Sequence, residues 1–136
     1  MTPAPHQFQV HVHYEDTDMG GLVYHANYLK FIERARSEWV RELGIDQAAM
    51  KRENGRVFAV RRIEADYLAP ACFDDVIEVQ SAPVVLSPAR ITLRQEIFRA
   101  DTRLFTALTT LVCLDAGGRP QRLPQALAAL ADTLRA

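Results

Sequence analysis

The chain has 136 residues, of which 49% are hydrophobic, and 16 basic and 17 acidic side chains give it a formal net charge of −1. This length and composition predict a single folded domain over residues 1–136, with a core that needs no disulfides, and they exclude a disordered chain. The balanced charge excludes the basic surface typical of general nucleic-acid binding, and the lack of a signal peptide or a run of about 20 apolar residues predicts a cytoplasmic protein without a membrane span.

A first strand is predicted over residues 7–14, because apolar and polar side chains alternate there. The apolar face consists of Phe8, Val10, Val12 and Tyr14. The polar face contains His11 and His13. A third metal ligand at suitable spacing is missing, so we interpret this face as solvated or as part of an interface, not as a metal site.

A long amphipathic helix is predicted from His25 to Leu43. Its apolar positions recur at spacings of three and four, at Tyr28, Phe31, Ile32, Ala35, Trp39 and Leu43. Gly44 is expected to adopt the left-handed conformation that ends a helix. A short second helix is predicted over residues 46–53 with Asp46 as its N-cap, followed by a turn at Asn54 and Gly55.

Strands dominate the second half of the chain. Four are predicted, over Val57–Tyr67, Val76–Val85, Arg90–Ala100 and Leu104–Leu114. Because the last two breaks are short, the last three strands should form antiparallel hairpins. A turn is expected over residues 115–120, and a C-terminal helix from Pro124 with inward Leu127, Leu130, Ala131 and Leu134. Cys72 and Cys113 are interpreted as reduced core thiols. The order of elements predicts an α+β fold, with one long helix on a five-stranded antiparallel sheet.

The loop between the first strand and the long helix is acidic and rich in glycine. It contains Asp16, Asp18, Gly20 and Gly21. A carboxylate beside the free N–H groups of a helix start can support acyl-group hydrolysis without a serine or cysteine nucleophile. Asp18 alternatively caps the helix, as aspartates often do. Asp16 is expected to order the loop, and the glycines are expected to form its turn because they tolerate positive φ.

Residues 14–28 (YEDTDMGGLVYHANY), followed by F-x-E-R-A-R at residues 31–36, resemble the hotdog-fold acyl-CoA thioesterases. Within that family the motif is similar to the 4-hydroxybenzoyl-CoA thioesterase-like branch, and especially to the bacterial enzymes encoded with the Tol-Pal envelope system. Further matching segments are Phe58-x-Val60-Arg61, Tyr67-x-Ala69-Pro70-Ala71, Asp74-Asp75 and Leu123-Pro124. The resemblance therefore covers essentially the whole chain.

The resemblance implies a hotdog fold, in which a five-stranded antiparallel sheet wraps the long helix. It implies a homodimer or homotetramer with the active site at a subunit interface. Asp18 matches the catalytic carboxylate of the family, acting as nucleophile or as general base. The backbone N–H of His25 matches the oxyanion donor. We expect hydrolysis to need no metal and no other cofactor.

Other residues are predicted to contact the substrate. The turn at Gly21 lets the backbone approach the substrate carbonyl, and Tyr24 and Tyr28 are candidate pocket residues. Neighbouring strand residues face opposite sides, so only one of Arg61 and Arg62 should reach the coenzyme A phosphates, and we select Arg61. The imidazole of His25 either assists the reaction or only completes the helix start.

Two other functions fit parts of the pattern. A hotdog-fold hydratase is disfavoured because the shorter Asn-Pro loop of those enzymes is absent. A non-catalytic acyl-binding or envelope-associated interaction protein is the alternative from a different functional class. Acyl carrier protein conjugates are possible substrates beside acyl-CoA, and the sequence leaves the preferred acyl chain open.

Overall fold

The computed structural model describes the backbone of residues 4–135 and the side chains of residues 4–130. The elements are β1 (His6–His11), a 3-10 turn (Tyr14–Asp16), α1 (Asn27–Glu42), α2 (Gln47–Asn54), β2 (Val57–Tyr67), β3 (Val76–Leu86), β4 (Arg90–Arg99), β5 (Thr102–Leu114), β6 (Pro120–Gln121) and α3 (Gln125–Arg135). The predicted α+β class is confirmed.

The sheet has the strand order β1-β3-β4-β5-β2, and all neighbours along it are antiparallel. The predicted hairpins β3–β4 and β4–β5 are confirmed, and β1 and β2 form the two edges. The two-residue strand β6 was not predicted and pairs with Cys113 and Leu114 at the end of β5. Only a turn was expected before it, because two residues are too few to show an alternating pattern.

Helix α1 packs on one face of this sheet. Phe31 and Ile32 are fully buried in one apolar cluster, together with residues from β1, β3, β4 and β5. Trp39, which is 7% exposed, belongs to a second cluster that also contains Met50 of α2 and Leu127 of α3. The core positions predicted for Trp39 and Leu127 are therefore confirmed, whereas the side chains of Ala131 and Leu134 lie outside the described residues.

Two element boundaries differ from prediction in the loop before α1. Strand β1 stops at His11, and Tyr14 is 82% exposed in the 3-10 turn, so its assignment to the inner face is wrong. Helix α1 begins at Asn27, not at His25, because residues 17 and 23 first pair in an isolated bridge and the chain must still turn.

The predicted ends of the helices are better matched. Gly44 follows α1 with φ of 87°, as expected for the left-handed region. Asp46 precedes α2, and its carboxylate accepts the N–H of Ala49 at 3.0 Å, which confirms the N-cap. Gly55 ends α2 with φ of 65°.

The two cysteines differ in environment. Cys113 is a fully buried free thiol, and burial raises its pKa. Cys72 is half-buried in the loop before β3, so its assignment to the core is wrong. Within the described part of the chain, no helix combines the length and apolar character needed to cross a bilayer.

Candidate active site

Asp18 organises its own loop and does not cap α1. Its Oδ1 accepts the N–H of Gly20 at 2.9 Å and that of Leu22 at 3.3 Å, while its own N–H donates to the carbonyl of Leu22 at 2.8 Å. Gly21 turns the chain with φ of 77°. Positive φ is found at Gly21 and not at Gly20, contrary to the expectation for both. Among the described residues, Oδ2 of Asp18 has no hydrogen-bond partner, so one carboxylate oxygen is held and the other is free.

Asp16 fastens the loop to the start of α1, as expected. Its carbonyl accepts the N–H of Tyr24 and the side-chain amide of Asn27, both at 2.9 Å. Its carboxylate accepts the N–H of His13 at 2.9 Å. The Asn27 amide is therefore used within the loop and does not cap the helix.

A second segment, residues 68–75, supports the loop from behind. The N–H of Val23 donates to the carbonyl of Ala71 at 2.8 Å, and the N–H of Phe73 donates to that of Gly21 at 3.1 Å. Arg99 ties this segment to β4 by donating to Asp75 at 2.7 Å. Burial works against ionisation of Asp75, but the Cys72 N–H and Arg99 outweigh it and hold the pKa of this carboxyl below its ordinary value.

His25 presents an unused backbone donor. No acceptor among the described residues lies within hydrogen-bonding distance of its N–H, whereas its carbonyl accepts the hydroxyl of Tyr67 at 2.8 Å. Burial raises the pKa of Tyr67, so the phenol stays protonated and can donate. The imidazole is exposed, with its ring centroid 4.6 Å from that of Tyr24. The turn before α1 is thus anchored at the His25 carbonyl, while the N–H of the same residue has no hydrogen-bond acceptor among the described residues.

Asp18 and His25 line one open cleft of about 420 Å³. Its remaining walls come from the loop, from α1 and from residues 67–70, namely Leu22, Val23, Tyr28, Tyr67, Leu68, Ala69 and Pro70. Most of these wall residues are apolar, and Asp18 and His25 belong to the same lining. Such an arrangement can hold an acyl group while a carboxylate and an N–H face its carbonyl.

The residues predicted to contact the substrate differ in how they relate to the cleft. Tyr28 lines the cleft but is only 3% exposed, and its hydroxyl accepts the N–H of Ala71 at 2.9 Å. Burial raises the pKa of this phenol. Neither Tyr24 nor Gly21 is among the residues that line the cleft: Tyr24 is 47% exposed with its ring beside that of His25, and Gly21 lies in the loop turn between Asp18 and Leu22.

Arg61 lies away from the Asp18 cleft. It occupies a β-bulge in β2, where the pairing with β5 shifts between Val60 and Arg62. Because the bulge interrupts the alternation of side chains, Arg61 and Arg62 both line one groove of about 310 Å³, together with Arg90. The expectation that these two neighbours separate to opposite faces is therefore wrong. Contact between Arg61 and coenzyme A remains a prediction.

The polar face of β1 makes a hydrogen bond to the loop before β3. Nε2 of His11 lies 2.7 Å from Oδ1 of Asp74, and the rings of His11 and His13 are 5.3 Å apart. Across the described residues, no three His, Cys, Asp or Glu side chains converge in a way that could hold a metal ion.

Tyr67 and Arg99 are structural supports of the site that sequence reasoning missed. Tyr67 was predicted only as part of a strand and of a family segment, and Arg99 only as part of the strand Arg90–Ala100. Tyr67 opens the Y-x-A-P-A segment, which matches the family and was a usable signal. Tyr67 donates a hydrogen bond to a backbone carbonyl, and Arg99 donates to a backbone carbonyl and to the Asp75 carboxylate. None of these bonds can be predicted from spacing, because the partners are distant in sequence.

Comparisons with known proteins agree on the family. Residues 12–130 match the family described as "Thioesterase-like superfamily". The chain is 39% identical over 110 residues to "Acyl-CoA thioesterase YbgC" of Haemophilus influenzae, covering 81% of each chain. It is 38% identical over 125 residues to "Acyl-CoA thioester hydrolase YbgC" of Escherichia coli O6:H1, covering 90% of this chain and 92% of that one.

A solved structure also aligns with the fold described above. The probable thioesterase from Bartonella henselae superposes with a TM-score of 0.84 at 35% identity, and the alignment covers 89% of this chain and all of the other. Motif, fold and relatives therefore agree that the chain belongs to the thioesterase-like superfamily of hotdog-fold proteins.

Proposed function

We propose that this chain hydrolyses acyl-coenzyme A thioesters in the Asp18 cleft, releasing a free acid and coenzyme A. The observation that carries this proposal is the pairing of a half-free carboxylate with an unused amide in one apolar cleft. The two curated relatives, named as acyl-CoA thioester hydrolases, support the choice of substrate. A non-catalytic acyl-binding or envelope-associated protein is the alternative, and it has no need of a carboxylate beside the thioester.

Asp18 is assigned the attack on the thioester carbonyl. In one route Oδ2 adds to the carbonyl carbon, the C–S bond breaks, and water then hydrolyses the resulting anhydride. In the other route Asp18 takes a proton from a water molecule, whose oxygen adds directly. In both, coenzyme A leaves as a thiolate, which needs little acid assistance because a thiol has a pKa of about 8.5.

The His25 N–H is assigned to the oxygen that gains charge as the carbonyl is attacked. A single donor aimed at such an oxyanion contributes roughly 3 kcal/mol to catalysis. The hydrogen bond from Tyr67 to the His25 carbonyl supports this role by fixing the turn. Tyr28, which lines the cleft, is assigned to the acyl group, Gly21 and Tyr24 are assigned further contacts with the substrate, and Arg61 is assigned to a coenzyme A phosphate.

A second copy of the chain is part of the proposed site. Strand β2 pairs with β5 along one edge only, and its exposed side chains include Val60, Ile63 and Tyr67, at 46%, 38% and 48% exposure. An edge strand with exposed apolar residues favours pairing with another strand. Edge-to-edge pairing of β2 would cover the open side of the Asp18 cleft, and it gives a route by which a partner's Arg61 could approach the substrate.

The proposal is tested by release of free thiol from purified protein with short, long and aromatic acyl-CoA esters, without added metal. We expect release from at least one class. No release from any class would contradict hydrolysis and favour the acyl-binding alternative. Activity lost to a chelator and restored by zinc would contradict the metal-free route. Acyl carrier protein conjugates tested in parallel show whether the carrier is accepted.

Isotope labelling separates the two routes of attack. After a single turnover in labelled water, label within Asp18 indicates an anhydride opened at the Asp18 carboxyl. Label confined to the released acid is expected both from general-base attack and from an anhydride opened at the acyl carbonyl, and detection of acylated Asp18 by mass spectrometry separates these two.

A further inference from the structure

Arg36 of α1 is a buried cation without an anionic partner. It is 8% exposed, and its Nη1 donates to Oε1 of the fully buried Gln95 at 3.0 Å. Among the described residues, no carboxylate lies within 4.0 Å of the guanidinium. Burial lowers the pKa of Arg36, and nearby Glu33 only partly opposes that effect. Removing a charge from water with one neutral acceptor is costly unless another group compensates.

A role in holding the fold accounts for only part of this arrangement. Nε2 of Gln95 donates to the carbonyl of Ile32 and to the hydroxyl of Ser81, both at 2.9 Å, so the Gln95 amide already joins the helix to the sheet. A guanidinium has five N–H donors. The bond to Gln95 is the only hydrogen bond that the described residues provide for the Arg36 guanidinium. A neutral side chain could serve that bond equally well, so the charge itself has no structural use.

Arg36 lines a cavity beside α1, and Glu33 supplies a carboxylate to the same lining. This cavity, of about 180 Å³, lies between α1 and β2, and Arg36 lines it together with Glu33, Ser37, Phe58 and Val60. The Asp18 cleft lies along the same α1–β2 side, at the start of the helix and the end of the strand. A chain that enters at Asp18 and follows this side therefore runs toward Arg36.

The distance between the two ends suits an acyl chain of moderate length. From Asn27, where α1 begins, to Arg36 the helix rises about 14 Å, and side chains tilt back toward its N-terminus, so the guanidinium lies roughly 10 Å from the start of the helix. An extended hydrocarbon advances about 1.3 Å per carbon, given C–C bonds of about 1.5 Å. About six to ten carbons therefore span the interval.

We propose that Arg36 binds a carboxylate at the far end of the acyl chain, so that the preferred substrates are ω-carboxyacyl-coenzyme A esters of about six to ten carbons. This inference rests on the proposed function, because the thioester must occupy the Asp18 cleft for the chain to reach Arg36. A carboxylate is the anion whose geometry a guanidinium matches with two parallel hydrogen bonds. It also compensates the buried charge, for which the described residues supply no ion pair within 4.0 Å and only the longer-range attraction of Glu33.

The native protein provides the first test, with pairs of substrates that differ only at the chain end. Hexanoyl-, octanoyl- and decanoyl-CoA are compared with adipoyl-, suberoyl- and sebacoyl-CoA. We expect kcat/KM to be at least tenfold higher for the carboxylate-ended ester at one or more lengths. Equal or higher values for the methyl-ended ester at every length would overturn the inference. If methyl-ended esters are hydrolysed without such a preference, only this inference fails; if no ester is hydrolysed, the proposed function fails.

A matched pair of variants then assigns the preference to Arg36. Arg36→Met removes the charge with little change in volume, and it should reduce the ratio of kcat/KM values between carboxylate-ended and methyl-ended esters at least tenfold. Arg34→Gln removes an exposed guanidinium from the same helix and should leave this ratio unchanged. A folded Arg36→Met protein with the native ratio would overturn the inference. If Arg36→Met does not fold, the native substrate series still decides.

Discussion

Replacing Tyr67 with phenylalanine removes a single hydrogen bond from the support of the site. The hydroxyl donates to the carbonyl of His25 at 2.8 Å, and the rest of the ring packs against Tyr28 and Phe105. One such bond contributes about 1 kcal/mol net to the free energy of unfolding, which lowers the Tm of a domain of this size by about 4 °C. Removing an oxyanion donor outright costs roughly 100-fold in kcat. Tyr67 only orients the donor, so we expect a loss of about 3- to 30-fold, or about 0.6–2 kcal/mol.

The assay is steady-state thiol release, with kcat and KM determined separately for the native protein and the variant. Since the oxyanion forms only in the transition state, kcat should fall more than KM rises. Tyr14→Phe is the control, because Tyr14 is 82% exposed and its hydroxyl has no hydrogen-bond partner within the described residues. A Tyr67→Phe protein with lowered Tm but native kcat would refute the link between this hydrogen bond and the position of His25.

Three further predictions concern the loop, the thiols and the assembly. The Asp75 carboxyl has a lowered pKa, so its stabilising effect is complete above the unfolded value of about 4 and is lost as the pH falls through the lower folded value. Asp75→Asn should therefore flatten the decline in the free energy of unfolding as the pH falls below about 4, and an unchanged decline would contradict the Arg99 pairing. At most one thiol of the folded protein should react rapidly with a thiol reagent at pH 8, because Cys113 is buried with a raised pKa, whereas the unfolded protein should show both. Light scattering should give a dimer or tetramer, and a mass of 15.3 kDa at micromolar concentration would contradict pairing through β2.

Periodicity predicted the elements well, but it did not predict where hydrogen bonding interrupts them. Apolar and polar residues alternate from Phe8 to Tyr14, which predicts a strand over this whole range. The Asp16 carboxylate instead accepts a hydrogen bond from the N–H of His13, and the chain forms a 3-10 turn there. The bulge at Arg61 lies among ordinary strand residues with no glycine to mark it, so the shared groove of Arg61 and Arg62 could not be foreseen.

The site residues that lie within one sequence motif were predicted, whereas those whose partners are distant in sequence were not. Asp18 and His25 were identified because one continuous motif contains both, and the structure brings them to one cleft. Tyr67 and Arg99 act on backbone atoms distant in sequence, and pairings of that kind depend on the sheet order. Burial of Arg36 did have a signal, since it falls four residues after Ile32 and four before Val40 on the apolar stripe of α1. Its charge, however, is typical of an exposed position and does not predict burial.

The central claim is that the carboxylate of Asp18 performs the chemistry, and Asp18→Asn tests it most directly. Asparagine keeps the Oδ1 acceptor used by Gly20 and Leu22 and changes only the oxygen that has no partner among the described residues. Turnover of the best acyl-CoA substrate should fall by roughly 100-fold or more, the scale of a lost general base or nucleophile. Thermal unfolding and binding of a non-hydrolysable acyl-CoA analogue should stay at native values. Near-native turnover in a folded Asp18→Asn protein would contradict the account.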